Sequence, residues 1–157
     1  MKITFITVGK TEDAYLKDGI EKYVKRLKHY TKLEMTDIPE LKNTKALTED
    51  QQKAKEAELI LKKITPNDHV ILLDENGMEF TSVQFANYIN KRSVSSSANL
   101  IFIVGGPYGF DQSVYQRAND KISLSRMTFS HQMVRLFFVE QLYRAYSIIK
   151  GEPYHHQ

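Results

Sequence analysis

Hydrophobic residues along the chain alternate between the spacing of strands and the spacing of helices. Continuous or alternating apolar runs predict five strands, at residues 3–8, 32–38, 69–74, 99–104 and 121–124. Apolar residues that recur every three or four positions predict five helices, at residues 13–27, 48–64, 81–89, 111–118 and 130–150. Strands that alternate with helices across short connections predict one α/β domain, residues 1–157, with a mostly parallel sheet.

Residues that favour helix ends and turns mark the boundaries of these elements. Small polar residues predict N-caps at Asp13, Thr48, Thr81 and Ser130. Gly151 is placed to end the last helix, because glycine adopts the left-handed conformation that helix C-termini favour. The pair Asn76-Gly77 predicts a turn after the third strand, and the polar segment 40–47 is predicted to be the most mobile loop.

Composition excludes several classes of protein. The chain has 157 residues, of which 41% are hydrophobic and 26% charged, and this balance is typical of a soluble globular domain. No apolar run approaches the ~20 residues of a membrane span, and the first residues lack the cleavage site of a signal peptide. The absence of cysteine excludes disulfides, thiolate metal sites and a cysteine nucleophile, and it fits a cytoplasmic location.

Charge is distributed unevenly along the chain. The formal net charge is +3, yet residues 67–120 carry 3 basic and 6 acidic side chains, whereas residues 121–157 carry 5 basic and 2 acidic ones. Three histidines add to this C-terminal stretch. A mildly basic end of this kind permits a nucleic-acid partner without requiring one.

The ligand site is expected at the carboxyl ends of the strands, as in other parallel sheets. This rule brings together Leu73-Asp74, the loop Gly105–Gly109 and the loop Ser125–Ser130. The GGPYG sequence differs from the GxGxxG of dinucleotide folds and lacks the GK[ST] of a P-loop, which disfavours a nicotinamide cofactor or a nucleoside triphosphate. A tight strand-to-helix turn explains its glycines equally well.

The last helix combines charged pairs with a wide apolar face. His131 and Arg135 are one turn apart, and Glu140 and Arg144 form an i,i+4 pair that a solvated ion pair would explain. Its apolar residues are Val134, Phe137, Phe138, Leu142, Ala145, Ile148 and Ile149. One small sheet does not need so wide a face, so part of it is predicted to form a dimer contact. Phe138 is the first position to test, with a place in the core as the alternative for this residue.

Several ordered motifs resemble the ribosomal large-subunit methyltransferase H family of the SPOUT superfamily. They are MKITFITVGK at the start, HVILLDENG, IFIVGGPYGF, SLSRMTFSHQMVR, and VEQLYRAYSIIKGEPYHH at the end. The resemblance covers the whole chain. It implies a homodimer with a SPOUT-type α/β knot. In each chain, the C-terminal part is threaded into a trefoil knot.

The implied reaction is the transfer of a methyl group from S-adenosyl-L-methionine to N3 of a pseudouridine in large-subunit ribosomal RNA. The implied substrate is the assembled ribosome, and no metal and no membrane are involved. The resemblance differs from the common pattern in two places: Ser130 stands where many members have proline, and His156-Gln157 close the chain where the last position is often basic.

The resemblance also implies which residues form the site. Cofactor contacts are implied for Leu73, Gly106, Ser125, Arg126, Met127, Thr128, Phe129 and Ser130. Tyr154 and His155 match a terminal tyrosine-histidine pair that lies beside the methyl donor. Because N3 of pseudouridine bears a proton, His131 and His155 are candidate bases, and Arg144 is a candidate to stabilise the ring anion or to bind phosphate.

Two other functions are compatible with these residues. One is a regulatory module that binds a nucleotide or phosphate, with GGPYG as an anion-binding nest. The other is a ribosome-binding protein that has kept the scaffold without the activity. Binding of S-adenosylmethionine separates the methyltransferase from the first, and the modification state of the ribosomal RNA separates it from the second.

Overall fold

The computed structural model describes residues 1–156, and Gln157, the last residue of the tail, lies outside the described residues. Five strands form one sheet in the order β2-β1-β4-β3-β5, and all their pairings are parallel. The strands are β1 (Lys2–Val8), β2 (Lys32–Ile38), β3 (His69–Glu79), β4 (Leu100–Val104) and β5 (Asp120–Ser123). The predicted α/β fold with a parallel sheet is confirmed.

Helices cover both faces of the sheet. They are α1 (Ala14–Leu27), α2 (Glu49–Leu61), α3 (Ser82–Ser95), α4 (Gln112–Arg117) and α5 (Met133–Ile149). Helices α1, α3 and α5 pack on one face, and α2 and α4 pack on the other. A single 3-10 turn, Thr44–Ala46, lies within the polar segment 40–47. Within residues 1–156, no helix is both long and apolar enough to cross a membrane.

The α5 face of the core is built from aromatic rings. Phe138 is 0% exposed, and its ring centroid lies 4.5 Å from that of Phe5 on β1 and 4.8 Å from that of Phe102 on β4. The choice of Phe138 as a dimer contact is therefore wrong. Its neighbour Phe137 is 42% exposed and is the large apolar side chain that α5 presents to the surface.

Strand β3 is longer than the sequence predicted. It continues through Asn76-Gly77, where a turn was expected, and its register against β5 shifts between Leu73 and Met78. Gly77 permits this because a Cβ atom there would lie 2.6 Å from the backbone nitrogen of Ile122. The glycine serves a close approach of two strands.

The helices begin at the predicted N-caps, except that α5 begins later than expected. Thr48 and Thr81 each form a complete capping box. Helix α5 begins at Met133, three residues after Ser130, although the Ser130 hydroxyl still accepts a hydrogen bond from the Met133 amide at 3.0 Å. Gly151 has φ +69° and ends α5, which turns the tail back along the helix. The trefoil knot stays a prediction.

Candidate functional site

A pocket of about 580 Å³ lies at the carboxyl ends of β3, β4 and β5, a volume within the range of small-molecule sites. Three segments that the sequence placed together contribute most of its wall. They are Leu73–Asn76, Val104–Phe110 and Leu124–Val134 without Arg126, Gln132 and Met133, and Tyr115 completes the lining. The topological rule for parallel sheets thus located a real cavity.

The glycine-rich loop turns sharply at this pocket. The Gly109 amide donates to the Gly106 carbonyl at 3.1 Å, so Pro107 and Tyr108 occupy the corners of a tight turn. The missing side chain of Gly106 faces α2, because a Cβ atom there would lie 2.8 Å from Glu56 Oε1. A larger side chain at position 106 would therefore press against Glu56, which lies behind the loop.

Glu56 was not anticipated from the sequence. It is 5% exposed and accepts a hydrogen bond from the Gln52 side chain at 3.3 Å. Burial raises the pKa of this carboxyl, and the hydrogen bond from Gln52 opposes the rise only in part. No sequence pattern pointed to it, since a glutamate on a strongly charged helix is ordinarily solvated.

The loop that follows β5 is held by its own hydroxyl groups. The Met127 amide donates to Ser125 Oγ at 3.0 Å, and Thr128 Oγ1 donates to Glu75 Oε2 at 2.6 Å. Arg126 points away from the pocket: its side chain is 83% exposed, and its Nε lies 3.6 Å from Glu79 Oε1. Of the six loop residues implied as cofactor contacts, five line the pocket and Arg126 does not.

The charge of the pocket is negative. Asp74 and Glu75 line it, and none of its lining residues within the described chain is lysine or arginine. The Asn76 amide donates to Asp74 Oδ1 at 2.8 Å, and the Tyr115 hydroxyl donates to Asp74 Oδ2. Burial and this hydrogen bond raise the pKa of Tyr115, which keeps its hydroxyl protonated. Such a lining suits a cationic ligand and opposes a phosphate.

His131 lines the same pocket, and Arg135 fixes the backbone beneath it. Arg135 is 1% exposed and donates to the carbonyls of Val8 and Gly9 at 2.9 Å each, and to the His131 carbonyl at 3.0 Å. Burial lowers the pKa of this guanidinium. His131 and Arg135 were expected to share one helix face. In the structure the Arg135 side chain contacts the backbone carbonyl of His131.

The residues implied for catalysis at the C-terminus are Arg144, Tyr154 and His155, and the structure brings them together with Tyr23 and Glu140. These five residues are here called the tail cluster. Glu140 Oε1 accepts from Arg144 Nη2 at 2.5 Å and from the Tyr154 hydroxyl at 3.0 Å. The hydroxyls of Tyr23 and Tyr154 are 3.3 Å apart, and the Arg144 guanidinium lies 4.8 Å from the Tyr154 ring centroid. The tail is therefore anchored to α5 and α1.

Protonation states in the tail cluster follow from these contacts. Burial, with hydrogen bonds to Tyr23 and Glu140, raises the pKa of Tyr154, and the hydrogen bond to Glu140 raises that of Arg144. Arg144 Nη1 lies 3.1 Å from His155 Nδ1, and an arginine can only donate, so Nδ1 accepts and Nε2 carries the hydrogen. That Nε2 is enclosed and has no hydrogen-bond partner within residues 1–156.

One chain does not bring the pocket and the tail cluster together. Val134 lines the pocket, and Arg144 lies ten residues further along α5, about 15 Å away at the rise of an α-helix. His131 therefore joins the implied cofactor residues, whereas Arg144, Tyr154 and His155 lie elsewhere on the surface. Within residues 1–156, no group of three or more His, Asp or Glu side chains is arranged to hold a metal ion.

Comparison with known proteins assigns this parallel sheet and its sequence motifs to the α/β methyltransferases of the SPOUT type. A probable methyltransferase from Bordetella pertussis Tohama I has the same fold, with a TM-score of 0.56 at 11% identity over 92% of this chain and 95% of that one. The family model described as "predicted SPOUT methyltransferase" matches residues 1–155. The chain belongs to the SPOUT methyltransferase family.

Two relatives of nearly the same length have more specific names. A protein of Cytophaga hutchinsonii is 59% identical over 156 residues, which cover 99% of this chain and 100% of the relative. A protein of Parabacteroides distasonis is 55% identical over 157 residues, 100% of both chains. Both are named ribosomal RNA large subunit methyltransferase H. The resemblance found in the sequence motifs is confirmed.

Proposed function

We propose that this protein methylates N3 of a pseudouridine in large-subunit ribosomal RNA, with S-adenosyl-L-methionine as donor and the assembled ribosome as substrate. The names of relatives that are 55–59% identical support ribosomal RNA as the substrate class. The choice of N3 of pseudouridine and of the assembled ribosome extends the family resemblance.

The charge of the pocket is the observation that carries the choice of donor. S-adenosylmethionine is a sulfonium cation with an ammonium group, and Asp74 and Glu75 lie in a wall that has no lysine or arginine among its described lining residues. A nucleotide- or phosphate-binding regulatory module would need the opposite charge. The same wall holds apolar side chains that suit the adenine ring, among them Leu73, Val104 and Leu124.

The chain's own residues have distinct tasks in this proposal. The backbone of Gly106 and the loop Ser125–Ser130 hold the donor, and Asp74 and Glu75 offer acceptors to its hydroxyl or ammonium groups. When bound, the donor supplies an electrophilic methyl group on sulfur. The protein aligns this group with the ring nitrogen, which is a positioning task.

The N3 proton has few possible acceptors in this protein. Tyr154 and Arg144 keep their protons at neutral pH, because their pKa values are raised. His155 is not free to accept it in this arrangement, because its Nδ1 faces the Arg144 guanidinium and its Nε2 is enclosed. His131, which lines the pocket, remains the candidate base.

A homodimer would unite the two groups of residues. Glu140 and Arg144 of the tail cluster lie about 9 and 15 Å from Val134 along α5, so the cluster can meet a methyl donor if it reaches the pocket of a partner subunit. The exposed ring of Phe137, whose centroid lies 4.8 Å from that of Phe129 at the pocket rim, provides an apolar surface for such a contact. We propose that each active site is shared between two subunits.

The reaction is tested with purified protein, labelled S-adenosylmethionine and ribosomes from a strain that lacks this enzyme. Calorimetry should show micromolar binding of the donor, and mass spectrometry should place one added methyl group on a pseudouridine of the large-subunit RNA. Donor binding without methylation would favour the non-catalytic ribosome-binding protein. Absence of donor binding would contradict the proposal.

Shared active sites are tested by mixing two inactive variants. Gly106→Val damages the pocket and keeps the tail, whereas deletion of residues 154–157 removes the tail and keeps the pocket. Random exchange of subunits should restore about a quarter of the parental activity, because half the dimers are mixed and each has one complete site. No recovery from dimers shown to have exchanged would contradict the shared site.

A further inference from the structure

A groove of about 380 Å³ lies at the amino edge of the sheet, where the C-terminal ends of α1 and α5 meet. This edge is opposite the pocket. Six residues line the groove: Arg26, His29, Tyr30, Tyr143, Lys150 and Glu152. We call it the basic groove, and the proposed methyl transfer does not use it.

The strongest feature of the basic groove is a fixed guanidinium. The Arg26 side chain lies over two rings, with its central carbon 5.7 Å from the centroid of Tyr23 and 5.4 Å from that of Tyr143. Neither Arg26 nor Lys150 has an ion-pair partner in the described part of the chain. The rings therefore hold the cation in place while leaving its N–H donors available to a ligand.

The one carboxylate in the basic groove is already engaged. Glu152 accepts a hydrogen bond from the Tyr30 hydroxyl. This bond, with smaller contributions from burial and from the charge of Glu152, raises the pKa of Tyr30 to about 12, so its proton stays in place at neutral pH. Glu152 is thus hydrogen-bonded to a neutral hydroxyl and keeps its charge, but it forms no ion pair with Arg26 or Lys150 in the described part of the chain.

Further cations lie close to Arg26 in the sequence. Residues 22–32 contain Lys22, Lys25, Arg26, Lys28 and Lys32 and no acidic residue. Basic residues in the last turn of a helix offset its dipole, but two helix ends carry only about one negative charge together. With Glu152 included, the positive charge still prevails. Arg26 and Lys150 also come from the ends of different helices. The dipole of one helix would account for one of these cations but not for their meeting in one groove.

The basic groove adjoins the tail cluster. The Tyr143 ring lines the groove and packs edge-to-face on Tyr154, with the centroids 4.7 Å apart. A ligand in the groove would thus lie beside the residues proposed to meet the target base. Phosphodiesters are the anions that accompany a base at regular spacing, and guanidinium groups bind them in bidentate geometry.

We propose that the basic groove binds the sugar–phosphate backbone of the ribosomal RNA next to the nucleotide that is methylated. Arg26 and Lys150 contact phosphate oxygens, and the edges of Tyr30 and Tyr143 contact sugar or an unstacked base. The proposal rests on the proposed function for the identity of the RNA. It makes the groove a docking surface that is separate from the donor pocket.

The test compares two double variants that each remove two positive charges. Arg26→Gln with Lys150→Gln changes the basic groove, and Lys62→Gln with Lys63→Gln is the matched control. Both control lysines are exposed at the end of α2, on the opposite face of the sheet. Binding to ribosomes is measured by co-sedimentation at several salt concentrations, and circular dichroism verifies folding.

Loss of two phosphate contacts should weaken binding about tenfold near physiological salt and lower the slope of log affinity against log salt by about 1.5. The control pair should stay within about twofold of the parent. Arg26→Lys, which keeps the charge, should recover part of the affinity in the Lys150→Gln background. Calorimetric affinity for S-adenosylmethionine should be unchanged, because neither Arg26 nor Lys150 lines the donor pocket.

Parental affinity and salt slope in the groove variant would overturn the proposal, as would an equal loss in the control pair. These outcomes are distinct from a failure of the proposed function. A protein that binds ribosomes through the groove but adds no methyl group would contradict the methylation and support the groove. A protein that methylates ribosomes equally well without the groove charges would support the methylation and contradict the groove.

Discussion

Replacing Arg135 by methionine removes the group that ties the start of α5 to the end of β1. The guanidinium is 1% exposed and donates to the carbonyls of Val8, Gly9 and His131 at 2.9–3.0 Å. Methionine has a similar unbranched stem and fills much of the same space, so the change removes hydrogen bonds with little loss of packing. The carbonyls of Val8 and Gly9 would remain buried without this partner.

The expected loss in the free energy of unfolding follows from these hydrogen bonds. Each buried carbonyl left without a donor costs about 1–3 kcal/mol. The Gly9 carbonyl keeps one weak donor, the Thr7 hydroxyl at 3.4 Å, so the two carbonyls together cost less than about 6 kcal/mol. The variant is relieved of burying a charge, a cost visible in the lowered pKa of Arg135. We expect a net loss of about 3 kcal/mol in the free energy of unfolding. For a domain of this size, that loss lowers Tm by about 6–12 °C.

Urea and heat unfolding, followed by circular dichroism at one fixed protein concentration, measure this loss. The control is Arg126→Met, next to the same pocket, whose side chain is 83% exposed and whose effect should stay below about 0.5 kcal/mol. Arg135→Lys keeps one donor and should fall between the parent and Arg135→Met. Equal stability of Arg135→Met and Arg126→Met would refute the reasoning.

Three further predictions concern the pocket, the sheet and the exposed face of α5. Gly106→Val drives a branched side chain against buried Glu56, and calorimetry should show S-adenosylmethionine binding weakened by roughly 100-fold with the fold retained. Burial raises the pKa of Asp120, but hydrogen bonds from Tyr88 and His69 lower it overall. Asp120→Asn should therefore cost about 1–3 kcal/mol in urea unfolding at pH 7, a difference that shrinks as the pH falls below 3.8. Phe137→Glu should give a folded monomer in sedimentation, because Phe137 is an exposed apolar ring on the proposed dimer face.

Each of these three has a contradicting result. Parental donor affinity of Gly106→Val would show that the loop adjusts to a larger side chain. A stability difference for Asp120→Asn that persists unchanged at pH 2 would mean that the charge of Asp120 is not involved. A dimeric Phe137→Glu, or a monomeric parent, would remove α5 from the proposed interface.

Local patterns in the sequence were sufficient for most of the fold. The buried runs at 69–74 and 99–104 gave the two central strands, and the Thr48 and Thr81 capping boxes fixed two helix starts. These features depend on residues within about one turn of each other, so the chain segment itself contains the information. The position of the pocket followed from a topological rule once the strands were known.

Contacts between distant segments decided the rest. Asn76-Gly77 favours a turn locally, but pairing with β5 extends β3 through it. Phe137 and Phe138 are adjacent apolar residues, and only the packing of α5 on the sheet separates the exposed ring from the buried one. Arg135 resembles any solvated arginine in sequence, yet its partner Val8 lies 127 residues away.

The tail shows the same division. The sequence determined that Gly151 ends α5 and that a tyrosine and a histidine follow, and the resemblance implied their use at the methyl donor. Only the tertiary structure located them on Glu140 and Arg144, about two and three helical turns from Val134 in the pocket wall. Periodicity specifies which face a residue occupies on its own helix. The distance between two functional groups depends on how the helices and strands pack, which no local pattern encodes.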